Sequence, residues 1–290
     1  MNADKNTEAL KTEQVSEPAA SAGEKLPPLF DSHAHYTDER FNSEYPGGAD
    51  ALLSELFDSG TVGYIMNVAT NPLNSVDVIN QAKKYPNMYS AVGIHPSDIE
   101  ISPLPLEAQL ADIAGMIADK ENNKIKAIGE IGLDYYWKPV KKEAQKAFFR
   151  AQLELAIKND MPVIIHDREA HGDCLDIVRE YAGVRGVFHC YSGSAETAKE
   201  LLKLGWYISF TGTVTFSNAH KVREAAAVVP SDRLLLETDC PYLAPVPYRG
   251  KLNHSGLAVK TAEALAAVKD IDISELIIQT SENARRLFGI

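Results

Sequence analysis

Seven side chains able to hold a metal ion or move a proton recur along this chain of 290 residues: His33, His35, His95, Glu130, His166, His189 and Asp239. Each lies at or near the C-terminal edge of a short apolar run: LFDSHAH, YSAVGIHP, KAIGEIGL, PVIIHD, GVFHC and LLLETDC. His33 and His35 are two residues apart on a strand. They therefore face one side, about 6.6 Å apart along it, and their imidazoles can converge on one ion. The competing reading is a pair of surface histidines. Asp31 shares their face and could orient a ligand ring or be a plain buried acceptor. An acid inside an apolar strand, as Glu130 is, is costly to bury unless paired or metal-bound. Its two oxygens can bridge two cations, and Gly129 and Gly132 give the backbone room beside it. The alternative is a salt-bridged barrel acid. His166 and His189, at matching strand ends, form a second candidate ligand pair. Asp239 can bind the first ion and also take a proton from a water acidified by the cation. Glu237 supports a ligand or plugs the interior. His95 is a proton shuttle, a substrate contact or packing against Pro96.

Side chains so far apart in sequence meet only if the elements bearing them bring their ends together. Strand-like runs fall at roughly 29–35, 63–69, 89–94, 126–131, 162–166, 186–190, 206–210 and 234–238. Segments of helical period lie between them, near 49–59, 72–84, 106–120, 141–159, 169–181, 194–204, 217–228 and 257–269, with a further one near 274–287. Parallel neighbours need such crossovers, and nearly continuous apolar strands are those covered on both faces. Asn71 before Pro72, and Ser194 with Glu196 and Thr197, mark helix starts. Eight β/α alternations predict a parallel eight-stranded (β/α)8 TIM barrel over residues 29–290, with the reactive groups at the C-terminal strand ends. An open doubly wound sheet is the alternative fold, with fewer ligand-bearing strand ends.

Residues 1–28, polar and free of aromatics, predict a disordered extension. They lack the apolar stretch of a secretory signal, and no run approaches the length needed to span a bilayer. Three cysteines, Cys174, Cys190 and Cys240, with no close pair, fit a reducing cytoplasm. Cys190 and Cys240 each follow a candidate ligand and are expected to point away from it. The net charge is −11, which argues against non-specific binding of long duplexes but leaves room for a local basic clamp. Arg168, at the barrel mouth, and Arg249 and Lys251, after strand eight, could grip phosphate. Tyr135, Tyr136 and Trp137 could stack on bases or pack under a loop. His171 lies in a loop that could approach the site, whereas His220 reads as exposed. No P-loop or dinucleotide fingerprint is present, and no protein partner is evident.

In order, DSHAH, GIHP, GEIGLDYY, PVIIHDREAH, FHCYSG, ISFTGTVTF and LLETDCPYLAPVPYRGK resemble the TatD family of metal-dependent deoxyribonucleases, amidohydrolase-like TIM-barrel hydrolases, from about residue 29 to the C-terminus. The resemblance implies that His33, His35 and Asp239 hold one ion, that His166 and His189 hold another, and that Glu130 is shared. It further implies a Mg²⁺-dependent 3′–5′ exonuclease acting on DNA, with single-stranded DNA or a short oligonucleotide as substrate, extending to RNA and linked to repair or turnover. The residues themselves pull differently on the metal, because four imidazoles favour Zn²⁺, Mn²⁺, Fe²⁺ or Co²⁺ over Mg²⁺. One motif departs from the family: Asn253-His254-Ser255-Gly256 stands where an acid or amide and a proline often follow the asparagine. An amide, ester or lactone hydrolase on the same two-metal barrel is the alternative function. A scaffold protein with a structural ion is the alternative of another class.

Overall fold

The computed structural model describes residues 25–290. Of the predicted extension, residues 1–24 lie outside the described residues. Lys25 donates from Nζ to the Ser59 carbonyl at 2.8 Å, and Leu26 packs on the core.

Eight strands form one parallel sheet in sequential order: β1 (Leu29–Ala34), β2 (Val62–Val68), β3 (Met88–Val92), β4 (Ile125–Asp134), β5 (Val163–Arg168), β6 (Gly186–Phe188), β7 (Tyr207–Phe210) and β8 (Leu234–Leu236). The sheet closes on itself, since Asp239 N–H donates to the His33 carbonyl at 2.9 Å and His35 N–H to the Cys240 carbonyl at 2.8 Å. Ten helices surround it: α1 (Glu39–Glu44), α2 (Gly48–Ser59), α3 (Pro72–Ala82), α4 (Leu106–Ala118), α5 (Lys142–Asn159), α6 (His171–Glu180), α7 (Ala195–Lys203), α8 (His220–Val228), α9 (Ala258–Lys269) and α10 (Ile273–Phe288). The expected TIM barrel is the fold found. The capping residues act as predicted. Asn71 accepts from the Asn74 amide at 2.9 Å, and Ser194 from the Thr197 amide at 3.2 Å, contacts worth about 1 kcal/mol each.

The barrel interior is apolar at one end and polar at the other. Phe30, Met66, Ala91, Ala127, Ile164, Val187 and Leu235 pack inside with Leu287 and Phe288 of α10. Helix α10 is tied to the start of β1 by the Ser281 hydroxyl, which accepts from Phe30 N–H at 3.0 Å. This closes the N-terminal end with hydrocarbon. Period-2 alternation then carries each inward position up its strand: Ile164 is followed by His166 and Arg168, Val187 by His189, and Leu235 by Glu237 and Asp239.

Two features exceed the sequence reading. Strand β4 runs to Asp134, three residues past its expected end, and β5 runs to Arg168. Gly132 makes this extension possible. It has φ 135°, and a Cβ there would lie 2.0 Å from the His166 carbonyl oxygen. Helix α1 carries no long apolar period and escapes pattern reading.

Candidate metal centre

Glu130 is the hub. It is 3% exposed, and its two oxygens face different histidines. Oε1 lies 2.7 Å from both His166 Nδ1 and His189 Nε2, and 3.5 Å from His95 Nε2. Oε2 lies 3.5 Å from His33 Nε2 and 3.6 Å from His35 Nε2. Asp239 completes the second set, its Oδ1 3.4 Å from His35 Nε2 and 3.8 Å from His33 Nε2. The chain turns sharply there, with Asp239 at φ 56°, a sparsely populated conformation of the kind that collects at functional sites. Six side chains from five strand ends thus meet at one mouth, with His95 beside them.

The donor set fits cations. His33 Nε2 and His35 Nε2 are 3.0 Å apart. His35 Nδ1 lies 2.9 Å from the Val68 carbonyl oxygen, an acceptor, so that nitrogen carries the proton. In the neutral ring Nε2 then offers a bare lone pair toward another imidazole and two carboxylates, a place for positive charge. Ligand atoms about 2.1 Å from one ion are separated by about 3.0 Å along an octahedral edge and about 3.4 Å along a tetrahedral one. The spacings among His33, His35, Glu130 and Asp239 lie close to those lengths. Around His166 and His189 the atoms are closer, drawn together by hydrogen bonds to Glu130. Among the described residues, three groups have donor atoms close enough to share an ion: His33 with His35 and Glu130; His95 with Glu130 and His166; and His33 with His189 and Glu237.

Carboxylates stand behind two of the imidazoles. Asp134 Oδ2 accepts from His166 Nε2 at 3.0 Å. Glu237 Oε1 lies 3.4 Å from His189 Nδ1, a charge contact outside hydrogen-bond geometry. Its oxygens also accept from Cys190 N–H and Ser209 Oγ, both at 2.6 Å. Such partners orient ligand rings and raise their basicity. Burial opposes charge on His166, but the hydrogen bonds to Asp134 and Glu130 outweigh it and raise its pKa to about 8. Burial likewise opposes the charge on His189, yet Glu130 and Glu237 hold its pKa well above the usual imidazole range. His33 is shifted the other way, chiefly by burial and the neighbouring His189. Burial would raise Glu130, but His189, His95 and His166 keep its carboxyl well below the ordinary range.

His95 is held neutral, its pKa pushed down to about 3 mainly by burial. Its Nδ1 accepts from Ser97 N–H at 3.1 Å, which puts the ring proton on Nε2, facing Glu130. Packing on Pro96 alone does not account for that orientation.

Other expected residues divide. Arg168, Arg249 and Lys251 are exposed at the mouth. Tyr135, expected to stack on bases, is buried instead, at 6% exposure. Its hydroxyl donates to Asp173 at 2.6 Å and Lys142 Nζ covers its ring at 4.1 Å, because its main chain continues the β4–β5 ladder through a bond from its N–H to the Arg168 carbonyl. The exposed aromatics are Tyr136 and Trp137. Asp31 proves to be the buried acceptor. A register shift after it turns its carboxylate to Thr238 and Ser255, both hydroxyls at 2.6 Å, and it touches His33 only at the backbone. Of the Asn253–Gly256 departure, Asn253 and Ser255 are buried, and Ser255 serves Asp31 and Tyr36. The Cys190 thiol contacts Thr211 at 3.6 Å, and burial pushes its pKa far up. His171 pairs with Asp167 at 2.8 Å. Sequence reading missed Asp134. The available signal was its place four residues beyond Glu130, on the same strand at the same parity.

A closed parallel barrel with clustered imidazoles and carboxylates at its C-terminal mouth defines a metal-dependent hydrolase. The chain matches the family described as "TatD related DNase" over residues 30–289. It is 37% identical over 265 residues to the uncharacterized metal-dependent hydrolase YabD of Bacillus subtilis, covering 90% of this chain and 99% of that one. It is 38% identical over 264 residues to the uncharacterized metal-dependent hydrolase YcfH of Escherichia coli, covering 90% and 96%. The crystal structure of the TatD homolog YjjV from Escherichia coli superposes with a TM-score of 0.81 at 28% identity, over 90% of this chain and 98% of that one. This chain belongs to the TatD family.

Proposed function

We propose that this hydrolase is a phosphodiesterase that cleaves single-stranded DNA or short oligonucleotides, with two divalent cations shared through Glu130. In this reading His33, His35 and Asp239 hold one cation, and His166 and His189 hold the other. The cations, when bound, supply the positive charge that acidifies water and balances charge gained by the phosphate. Asp239, at the solvent-facing edge of the cluster, takes the proton of the attacking water. His95 Nε2–H donates to a phosphate oxygen. Arg168, Arg249 and Lys251 supply charge to the flanking phosphates. The observation that carries the reading is the division of Glu130, one oxygen toward each histidine pair. Mg²⁺ follows from the family resemblance and Mn²⁺ or Zn²⁺ from the imidazole-rich donor set. The 3′–5′ polarity follows from the resemblance alone. Free cysteines agree with work in the cytoplasm.

The test is release of nucleotides from a single-stranded oligonucleotide, with and without a chelator, beside turnover of ester and lactone substrates. Chelator-sensitive nucleotide release is expected. Acyl turnover without nucleotide release would move the protein to the alternative class of amide, ester or lactone hydrolase.

A further inference from the structure

Ten arginines lie in the chain, all within the described residues. Eight bond to a carboxylate, an amide or a main-chain carbonyl: Arg40, Arg150, Arg179, Arg185, Arg223, Arg233, Arg285 and Arg286. The guanidinium groups of Arg168 and Arg249 have neither a hydrogen bond nor an ion pair among the described residues. Each lies instead on an aromatic face at the barrel mouth. Arg168 is 4.0 Å from the Tyr136 ring centre and 5.6 Å from that of Trp137, and Arg249 is 4.2 Å from that of Phe216. Five of the ten pair with a carboxylate and three with neutral oxygens, so among the described residues these two guanidinium groups alone keep their donors free. Stacking fixes the plane of a guanidinium while leaving its donors free for an anion.

The shelf on the Arg168 side is tied to the metal centre. Asp134 Oδ1 accepts from the Tyr136 and Trp137 amides at 2.9 and 3.3 Å, while its Oδ2 accepts from His166. One buried carboxylate therefore positions a candidate metal ligand and the two-residue aromatic step beside it. Tyr136 and Trp137 meet edge to face at 4.9 Å and are 45% and 60% exposed. A cleft of about 200 Å³ opens beside them, lined by Trp137, Asp134, Lys138 and the Pro96–Ser97 turn that follows His95. Aromatic surface, unpaired cation and cleft adjoin the reactive groups on one side.

We propose that Trp137 and Tyr136, with Arg168 laid on their rings, form a shelf on which one unpaired nucleobase stacks next to the scissile phosphate. Arg168 meets the neighbouring phosphate of the same strand. The proposal rests on the phosphodiesterase reading and sharpens it: the substrate is a strand whose base at this position is free, because inside a duplex both faces of a base are covered by its stacked neighbours. Stacking accepts any base, so the shelf selects strandedness rather than sequence.

The experiment compares binding of the metal-loaded protein to a short phosphorothioate oligothymidylate and to the matching abasic oligomer, by fluorescence anisotropy. The wild type is expected to prefer the base-bearing oligomer by roughly 5- to 150-fold, the range for one stacked base. Trp137→Ala is expected to remove that preference, and Trp137→Phe to keep most of it. Both fold, since the side chain is largely exposed. Oligothymidylate should also quench the tryptophan fluorescence of the wild type and not of Trp137→Ala, because the other tryptophan, Trp206, is buried at 2% exposure. Equal, tight binding of both oligomers by the wild type overturns the shelf and leaves the phosphodiesterase reading standing, as does a preference that survives Trp137→Ala. Failure to bind either oligomer, together with no turnover of thymidine 5′-p-nitrophenyl phosphate, overturns both.

Discussion

The two halves of the candidate metal centre are built on different plans. On the β1/β8 side, His33 and His35 meet Asp239 and one oxygen of Glu130 at separations of 3.0–3.8 Å, and negative charge enters the cluster directly. Among the described residues, only the Val68 carbonyl stands behind its rings, and His33 Nδ1 is buried without a partner. On the β5/β6 side the carboxylates Asp134 and Glu237 sit behind His166 and His189, and Glu130 closes to hydrogen-bond distance in front. The first half is arranged as ligand edges. The second is arranged as a proton-holding network whose imidazoles become stronger bases. A cation on one side would meet a charge directly beside it, and a cation on the other would draw on charges one residue further out.

Glu130→Ala tests whether the halves are joined at all, and the largest effect is expected there. Loss of the shared carboxylate should lower phosphodiester turnover by more than the roughly 100- to 1000-fold that one electrostatic group supplies, and should lower metal content on both sides. Turnover and metal analysis by mass spectrometry read this out, with thermal unfolding as the check that the barrel survives. Full retention of one metal equivalent at wild-type affinity would show that Glu130 serves only one half.

Next in size is the contrast between Asp239→Asn and Asp134→Asn. Asp239 is placed to bind and to take a proton, so its amide should abolish turnover. Asp134 acts through the His166 ring, and loss of such a partner typically costs about 10- to 100-fold in metal affinity or activity. If the Asp134 variant is as dead as the Asp239 variant, the distinction between direct and indirect charge is wrong for this centre.

The difference between the halves also marks what sequence could reveal. His33-x-His35, Glu130, His166, His189 and Asp239 were legible because each interrupts an apolar run at a strand end, where burial without a partner is too costly to be idle. The barrel followed from the alternation of those runs with helical periods. The support behind the ligands was harder to see. Asp134 lies past residue 131, where the sequence pattern ends β4, since Gly132 and Tyr135 break the apolar pattern while the backbone ladder continues. Asp31 shares parity with His33 on paper, and a register shift turns it to Thr238 and Ser255. Tyr135, Tyr136 and Trp137 are alike in composition, and only their positions at the turn bury the first and expose the other two. Pair spacing is local and survives in sequence, whereas a bulge or an overlong strand depends on the neighbour it pairs with.

The smallest effect follows from the protons, and it singles out His33 from the other three imidazoles. His166 titrates near 8 with both ring nitrogens on carboxylates, so at pH 7 it is largely an imidazolium. A cation at Nδ1 must displace that proton, while the Nε2 proton stays with Asp134. Metal affinity on this side should therefore rise with pH by up to about tenfold per unit for each imidazole proton displaced, the His166 step bending near 8 and His189, whose pKa is also raised, adding to the slope. On the other side His33 has a lowered pKa and contributes no such slope near neutrality, whereas His35, whose charge burial opposes but Asp239 and Glu130 favour, has a raised pKa and contributes one. The same shift acts in reverse on the metal-free protein. A folded-state pKa raised from 6.5 to about 8 gives stability that is full below 6.5 and lost as pH climbs through 8. Titration calorimetry with Mn²⁺ at several pH values, alongside unfolding of the chelated protein, should show affinity and metal-free stability moving in opposite directions. Asp134→Asn, which removes the acceptor that helps hold the His166 proton, should move the bend in the affinity curve to lower pH. A bend that stays near 8 in that variant would mean the proton belongs to Glu130 and the β1/β8 side, and that the two halves are one titrating unit.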